Sequence, residues 1–130
     1  MSIANWAVVA ACVLPVLTAG LAKASTARLS RKNGGYDNNQ PREWAAHLSG
    51  WQARAIAAQN NGFEALPLFI AAVVLAQQAQ ADQGRIDMLA MAFVAIRVVY
   101  VAVYLMNIGT LRTLVWTAGL ATSIAIMAMA

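Results

Sequence analysis

The sequence predicts an all-α integral membrane protein, a bundle of four membrane-crossing helices. Three observations carry that prediction. The chain is 61% hydrophobic and 11% charged, whereas soluble domains are roughly half apolar and a quarter charged. A soluble domain of 130 residues keeps too much of its surface in water to hide so much apolar area, and a lipid-facing exterior removes the conflict. Finally, apolar runs recur at about the 20-residue length that spans a bilayer, and short polar segments rich in turn residues separate them.

The first element, about residues 3–31, begins with the uncharged run "IANWAVVAACVLPVLTAGLA". No basic region precedes that run, which argues for a membrane helix over a secretory signal. Pro15 is expected to kink it. A polar connection follows, with the turn signals "NGG" and "NNQP". The second helix, about 48–80, exceeds the need of the bilayer. Its first half is amphipathic and its second half apolar, so it projects from the membrane on the side of the first connection. "QADQGR" turns the chain into the third helix, about 86–106, and "NIGT" turns it into the fourth, about 111–130. Small residues on all four helices allow close packing. Four spans put both termini on one side. Lys23, Arg28, Arg31, Lys32 and Arg42 lie in or beside the first connection, and Arg112 follows the third. An excess of Lys and Arg marks cytoplasmic segments, so the termini are placed outside, on the periplasmic side of a bacterial inner membrane. The same cations can meet anionic lipid headgroups, a better fit to the net charge of +4 than nucleic acid.

Charged side chains inside a membrane are disfavoured, by about 2.5–3.5 kcal/mol on insertion scales, and point to function with a partner. Glu64 and Arg97 are the two clear cases. Arg54, Asn61 and Glu64 are spaced by 7 and 3 residues and share a face of the second helix. Arg97, Tyr100, Tyr104 and Asn107 are spaced by 3, 4 and 3 and share a face of the third. Neither polar face suits lipid, so the two are expected to meet, with Arg112 close by. Arginines fork onto carboxylates, and Glu64 can accept from an ammonium. The cluster therefore fits a small anionic or zwitterionic ligand with peptide-like groups. The competing reading is a buried Glu64–Arg97 ion pair that only sets helix register.

"RAIAAQNNGFEALPLF" together with "IRVVYVAVYLMNIGTLR" resembles the MAPEG family, the membrane-associated proteins in eicosanoid and glutathione metabolism. The likeness lies in N-x-x-E-x-x-P-x-F on the second helix, R-x-x-Y-x-x-x-Y on the third and "LR" opening the fourth, and it covers nearly the whole chain. "QPREW" is similar to the bacterial branch. The resemblance implies a homotrimer with glutathione, as co-substrate, bound between protomers on the cytoplasmic side. It implies ligand contacts from Arg28, Arg54, Gln59, Asn61, Glu64, Arg97, Tyr100, Tyr104 and Arg112. Arg112 stands where the family holds the thiolate, and Tyr104 or Tyr100 where a hydrogen bond is donated. Ala57 stands where glutathione-binding members carry an arginine.

Two functions remain open from the sequence. One is a glutathione transferase or peroxidase whose lipophilic substrate enters from the bilayer, with the thiolate as nucleophile. The other is a non-catalytic membrane protein whose cleft between protomers takes a lipid or another small anion. The lone His47 has no second His or Cys near it in sequence, so no metal site is expected. The lone Cys12 reads as a small buried hydrophobe. Trp44 and Trp51 are expected in an interfacial aromatic belt.

Overall fold

The computed structural model describes residues 1–130 and contains no strand. In chain order it holds α1 (Ile3–Thr26), a 3-10 turn (Arg31–Asn33), the short α2 (Pro41–Ala46), α3 (Gly50–Gln78), α4 (Gln83–Leu105) and α5 (Gly109–Met127). α1, α4 and α5 are each long and apolar enough to cross a membrane. α3 is the longest, with 29 residues, or about 44 Å at 1.5 Å per residue. Its first half carries the polar residues and its second the apolar run.

α1 lies against α3 and α4, and α5 lies against α4 and α3. Alanines make the closest contacts: Ala4, Ala7 and Ala11 on α1 face Ala72 and Ala76 on α3 and Ala90 on α4. Without large side chains the backbones approach and van der Waals contact builds along the seam. Phe69 and Phe93 fill the middle, stacked with ring centroids 3.9 Å apart. Only 27 of 130 residues are buried, so side chains such as Val16, Leu17, Leu114 and Ile124 form an apolar outer surface that lipid accepts.

The helix ends explain the observed boundaries. Ser2 caps α1, accepting from the Asn5 amide at 3.1 Å, and the Asp87 carboxylate of α4 accepts from the Ala4 amide at 2.8 Å. α1 stops at Thr26, short of the expected Arg31. Ser25 and Thr26 turn their hydroxyls back to the carbonyls of Ala22 and Lys23, which weakens continuation. Pro15 sits within a continuous α1 and fits against Gly62 of α3, where an added Cβ would stand 2.8 Å from Pro15 Cγ. α3 and α4 each end in a left-handed residue, Gln80 (φ 59°) and Asn107 (φ 61°). In both turns an amide reaches five residues back, from Ala81 to Ala76 and from Ile108 to Val103.

The first connection is folded, where the sequence suggested only turns. Trp44 is buried with Ala22 and Ala55, donates its indole N–H to the Gly34 carbonyl at 3.2 Å, and meets Tyr36 edge-on at 5.0 Å. The Lys23 ammonium lies 4.7 Å from the Tyr36 ring centroid. Trp44 therefore leaves the expected aromatic belt and becomes the core of a small cap, whereas Trp51 remains exposed.

Candidate functional site

The site is built on three helix faces. On α5, Arg112, Trp116, Gly119 and Ser123 recur at spacings of 4, 3 and 4, one stripe of the helix. On α4 the stripe is Arg97, Tyr100 and Tyr104, and on α3 it is Asn61 and Glu64. The short turn between α4 and α5 makes those helices antiparallel neighbours, so their stripes adjoin across the groove.

Two chambers lie in line along α5. The outer one has a volume of about 460 Å³ and is lined by Ala57, Asn61, Glu64, Tyr100, Tyr104, Arg112 and Trp116, together with Asn60 and Thr113. The Arg112 guanidinium lies over the Tyr104 ring, 4.4 Å from its centroid. Tyr104 in turn meets Tyr100 edge-on at 5.7 Å, and the Arg97 guanidinium lies 4.1 Å over Tyr100. This alternation of cation and ring holds each arginine by its apolar face and leaves N–H edges free to donate. The inner chamber, about 290 Å³, is more apolar. Leu68, Phe93, Leu120 and Gly119 line it with Arg97 and Ser123, and it shares Asn61, Glu64 and Trp116 with the outer chamber.

Arg97 is 5% exposed and donates from Nη2 to Asn61 Oδ1 at 2.9 Å. The ion pair that the sequence suggested between Arg97 and Glu64 does not form. The one ion pair within 4.0 Å joins Arg31 to Asp37, 3.6 Å apart in the first connection. Asn61 stands at Arg97 instead, and the Glu64 carboxylate is exposed to the chambers. Glu64 is thus free to accept from something other than this chain's own arginine.

The sequence-predicted residues divide. Asn61, Glu64, Tyr100, Tyr104 and Arg112 come together in the outer chamber, with Arg97 behind them. Arg54 does not reach it: its Nε and Nη2 donate to the Leu105 carbonyl at 3.2 and 3.0 Å, closing the C-terminus of α4. Asn107 is used by the turn that ends α4 and does not join the polar face. Gln59 lies in a separate concavity of about 530 Å³ with Lys23, Arg42 and Phe63, and Arg28 is exposed just past α1. The two concavities flank α3 and share Asn60. Trp116, Gly119 and Ser123 were missed by the sequence reading. The signal was present, since their 3–4 spacing continues the stripe from Arg112, but a tryptophan, a glycine and a serine in an apolar run read as packing. No group of three or more His, Cys, Asp or Glu side chains is placed to hold a metal.

Fold and site together define an all-helical integral membrane protein with an arginine–tyrosine cleft that opens beside an apolar chamber. The model of the MAPEG family matches residues 3–130, and the chain belongs to that family. No curated protein and no solved structure matches the chain.

Proposed function

We propose that this MAPEG protein binds glutathione in the outer chamber and presents its thiol to a lipophilic substrate, as a glutathione transferase or peroxidase. The observation that carries the reading is Arg112, braced over the Tyr104 ring at the mouth of a cavity that also holds the unpaired carboxylate of Glu64. Glu64 accepts from the ligand's ammonium, Asn61 and Tyr100 meet its amide groups, and Arg112 stabilises the thiolate. A nearby cation lowers a thiol pKa, and the thiolate is the reactive form. Tyr104 donates a hydrogen bond to the sulfur or to the oxygen that leaves it. In a transfer, the sulfur bonds to an electrophilic carbon, whose leaving group departs with the electron pair. In a reduction, two thiols become a disulfide while the hydroperoxide O–O bond breaks to give an alcohol and water.

This reading counts α3 as a fourth span and assembles the chain as a homotrimer. The division of the site residues supports the assembly. The concavity holding Gln59, Lys23 and Arg42 is a second polar half-site beside α3, and association between protomers brings unlike halves together. Arg28, exposed at the end of α1, belongs with that second half. A bacterial inner membrane completes the assignment.

One observation favours a second reading. Ala57 is on the wall of the outer chamber, and Arg112 is the one cation lining it. A single guanidinium suits a lipid phosphate or another small anion as well as a tripeptide, in a protein without catalysis. Calorimetric titration of glutathione into the detergent-solubilised protein separates the two. Saturable heat, lost in Arg112→Ala and Glu64→Ala variants that keep the wild-type melting temperature, is the expected result. No heat at millimolar glutathione overturns the glutathione reading and leaves the anion-binding one.

A further inference from the structure

The dipeptide Asn–Gly occurs twice in the chain, as Asn33–Gly34 and Asn61–Gly62. In such a pair the asparagine side chain is open to attack by the next residue's amide nitrogen, because glycine puts no side chain in the way. The structure treats the two copies oppositely. Asn61 and Gly62 lie inside the 29-residue α3, where the helix ladder takes their amides. Asn61 accepts through Oδ1 from Arg97 Nη2 at 2.9 Å, and Gly62 is buried against Pro15. Asn33 ends the 3-10 turn Arg31–Asn33 in the first connection, and both it and Gly34 are exposed to solvent. The Gly34 amide donates to no backbone carbonyl, while the amides on either side of it, of Asn33 and Gly35, both donate to the Ser30 carbonyl at 2.9 Å.

The turn itself demands the glycine that leaves Asn33 open. Gly34 has φ 91°, in the left-handed region where a side chain is strained. For cyclisation Asn33 must rotate out of the turn, which gives up its two bonds to one carbonyl. A single exposed turn opens at little cost. The middle of α3 opens only when its packing against α1, α4 and α5 is lost, so Asn61 is protected by the core of the bundle.

We propose that Asn33 is a site of spontaneous covalent modification, through which the folded first connection rearranges its own main chain. The Gly34 amide nitrogen bonds to the side-chain carbonyl carbon of Asn33. The side-chain carbon–nitrogen bond breaks, and its nitrogen leaves as ammonia with the proton from the amide. Water then opens the cyclic succinimide at one of its two carbonyls. Breaking the bond from the side-chain carbon gives an ordinary aspartyl residue. Breaking the bond from the main-chain carbon gives an isoaspartyl residue, the chain now running through the former side chain. No oxidant or reductant is consumed, and the sum is amide plus water to carboxylic acid plus ammonia. The isoaspartyl form carries one more carbon in the main chain directly before Gly34, whose carbonyl accepts from the Trp44 indole at 3.2 Å. Trp44 is the buried centre of the cap and also lines the concavity that holds Lys23, Arg42 and Gln59. Isomerisation at Asn33 therefore frees Trp44 and loosens that wall. The inference goes beyond the proposed function and does not depend on glutathione.

The experiment ages the purified, detergent-solubilised protein in mildly alkaline buffer, since the deprotonated amide is the nucleophile. Mass spectrometry of its peptides reads the exchange of amide for carboxyl, and methylation by an isoaspartyl methyltransferase reads the isomerised fraction. Modification at Asn33, mainly to isoaspartate, is expected roughly a hundredfold faster than at Asn61, the consequence of opening a turn against opening a core helix. In denaturant the two pairs are expected to age within about threefold of each other, because only the fold distinguishes them. Asn33→Gln is expected to abolish the fast reaction, since the longer side chain closes the ring poorly. Trypsin cleavage after Arg42, in α2, reads the state of the cap. The isoaspartyl fraction is expected to be cut roughly tenfold faster than fresh protein, and Asn33→Asp, with its ordinary main chain, at the fresh rate. Equal rates at Asn33 and Asn61 in the folded protein, or an unmodified Asn33, overturn the modification site. Equal cleavage of aged and fresh protein, or Asn33→Asp cut as fast as aged protein, overturns the release of Trp44 by the isomerised main chain.

Discussion

Arg54 and Arg97 lie on the polar faces of successive long helices, and the structure gives them different work. Arg97 lines the inner chamber and holds Asn61, while Arg54 bridges from α3 to the last turn of α4 through two donors on one carbonyl. Sequence spacing put Arg54, Asn61 and Glu64 on one face. It did not resolve that a long side chain about two helix turns before Asn61 meets the open end of the neighbouring helix first. An unsatisfied terminal carbonyl attracts a cation both by hydrogen bonding and by the helix dipole. Arg54→Ala is expected to destabilise the protein by roughly 1–3 kcal/mol, the range for losing a charged hydrogen bond and exposing its acceptor. The check is a thermal melt in detergent. Arg54→Lys should recover only part of the loss, since an ammonium lacks the fork that spans both bonds. A melt of Arg54→Ala that superimposes on the wild type would sink this role.

At the scale of elements, α1 packs tightly on α3 where Pro15 fits into the space left by Gly62. Gly62→Ala sets two effects against each other. Replacing a helical glycine gains about 1 kcal/mol of helix propensity, while overpacking a filled site costs about 1–3 kcal/mol. The proline ring cannot swing aside as a flexible side chain can, so the clash dominates and a lowered melting temperature is expected. Pro15→Ala in the same chain removes the opposing ring atoms and restores an amide to α1. The double variant is therefore expected to be more stable than the sum of the two single changes predicts, and strict additivity would show that the two residues are not in contact. The same contrast between local and distant causes decides what could be read from the chain. Apolar run lengths and turn residues pointed to four long helices because those signals are local, while the end of α1, at Thr26 instead of Arg31, depended on side chains folding back on its last turn. α2 and the burial of Trp44 were not legible, since "PREW" becomes a packed segment only through Ala22 and Ala55, brought in from α1 and α3. Asn107 followed the periodicity of α4 but was taken by the turn, as asparagine tolerates the left-handed conformation better than most residues.

For the whole molecule, the two ends differ in charge and in construction. At one end, Lys23, Arg28, Arg31, Lys32 and Arg42 gather around the folded connection and Arg112 stands at the outer chamber. At the other, Asp87 accepts from Ala4 and Gln83, and Gln77 donates to Ser2, at 2.8–2.9 Å in a polar clasp between α1, α3 and α4. The proposed orientation, drawn from the positive-inside bias, puts the arginine end in the cytoplasm. That orientation matters to the chemistry, because the cytosol keeps a reduced glutathione pool whereas a bacterial periplasm is oxidising. In the reverse orientation Arg112 would face a compartment poor in thiol. Fusions at each terminus, expressed in a Gram-negative bacterium, test orientation and span number together. Alkaline phosphatase folds only in the periplasm and green fluorescent protein fluoresces only in the cytoplasm. With α3 counted as a span, both phosphatase fusions should be active and both fluorescent fusions dark. Were α3 to stay out of the bilayer, α1, α4 and α5 alone would leave the termini on opposite sides, and only one phosphatase fusion would be active. Two fluorescent termini would keep four spans but invert the protein, taking the thiol site away from its supply of glutathione and removing the transferase reading with it.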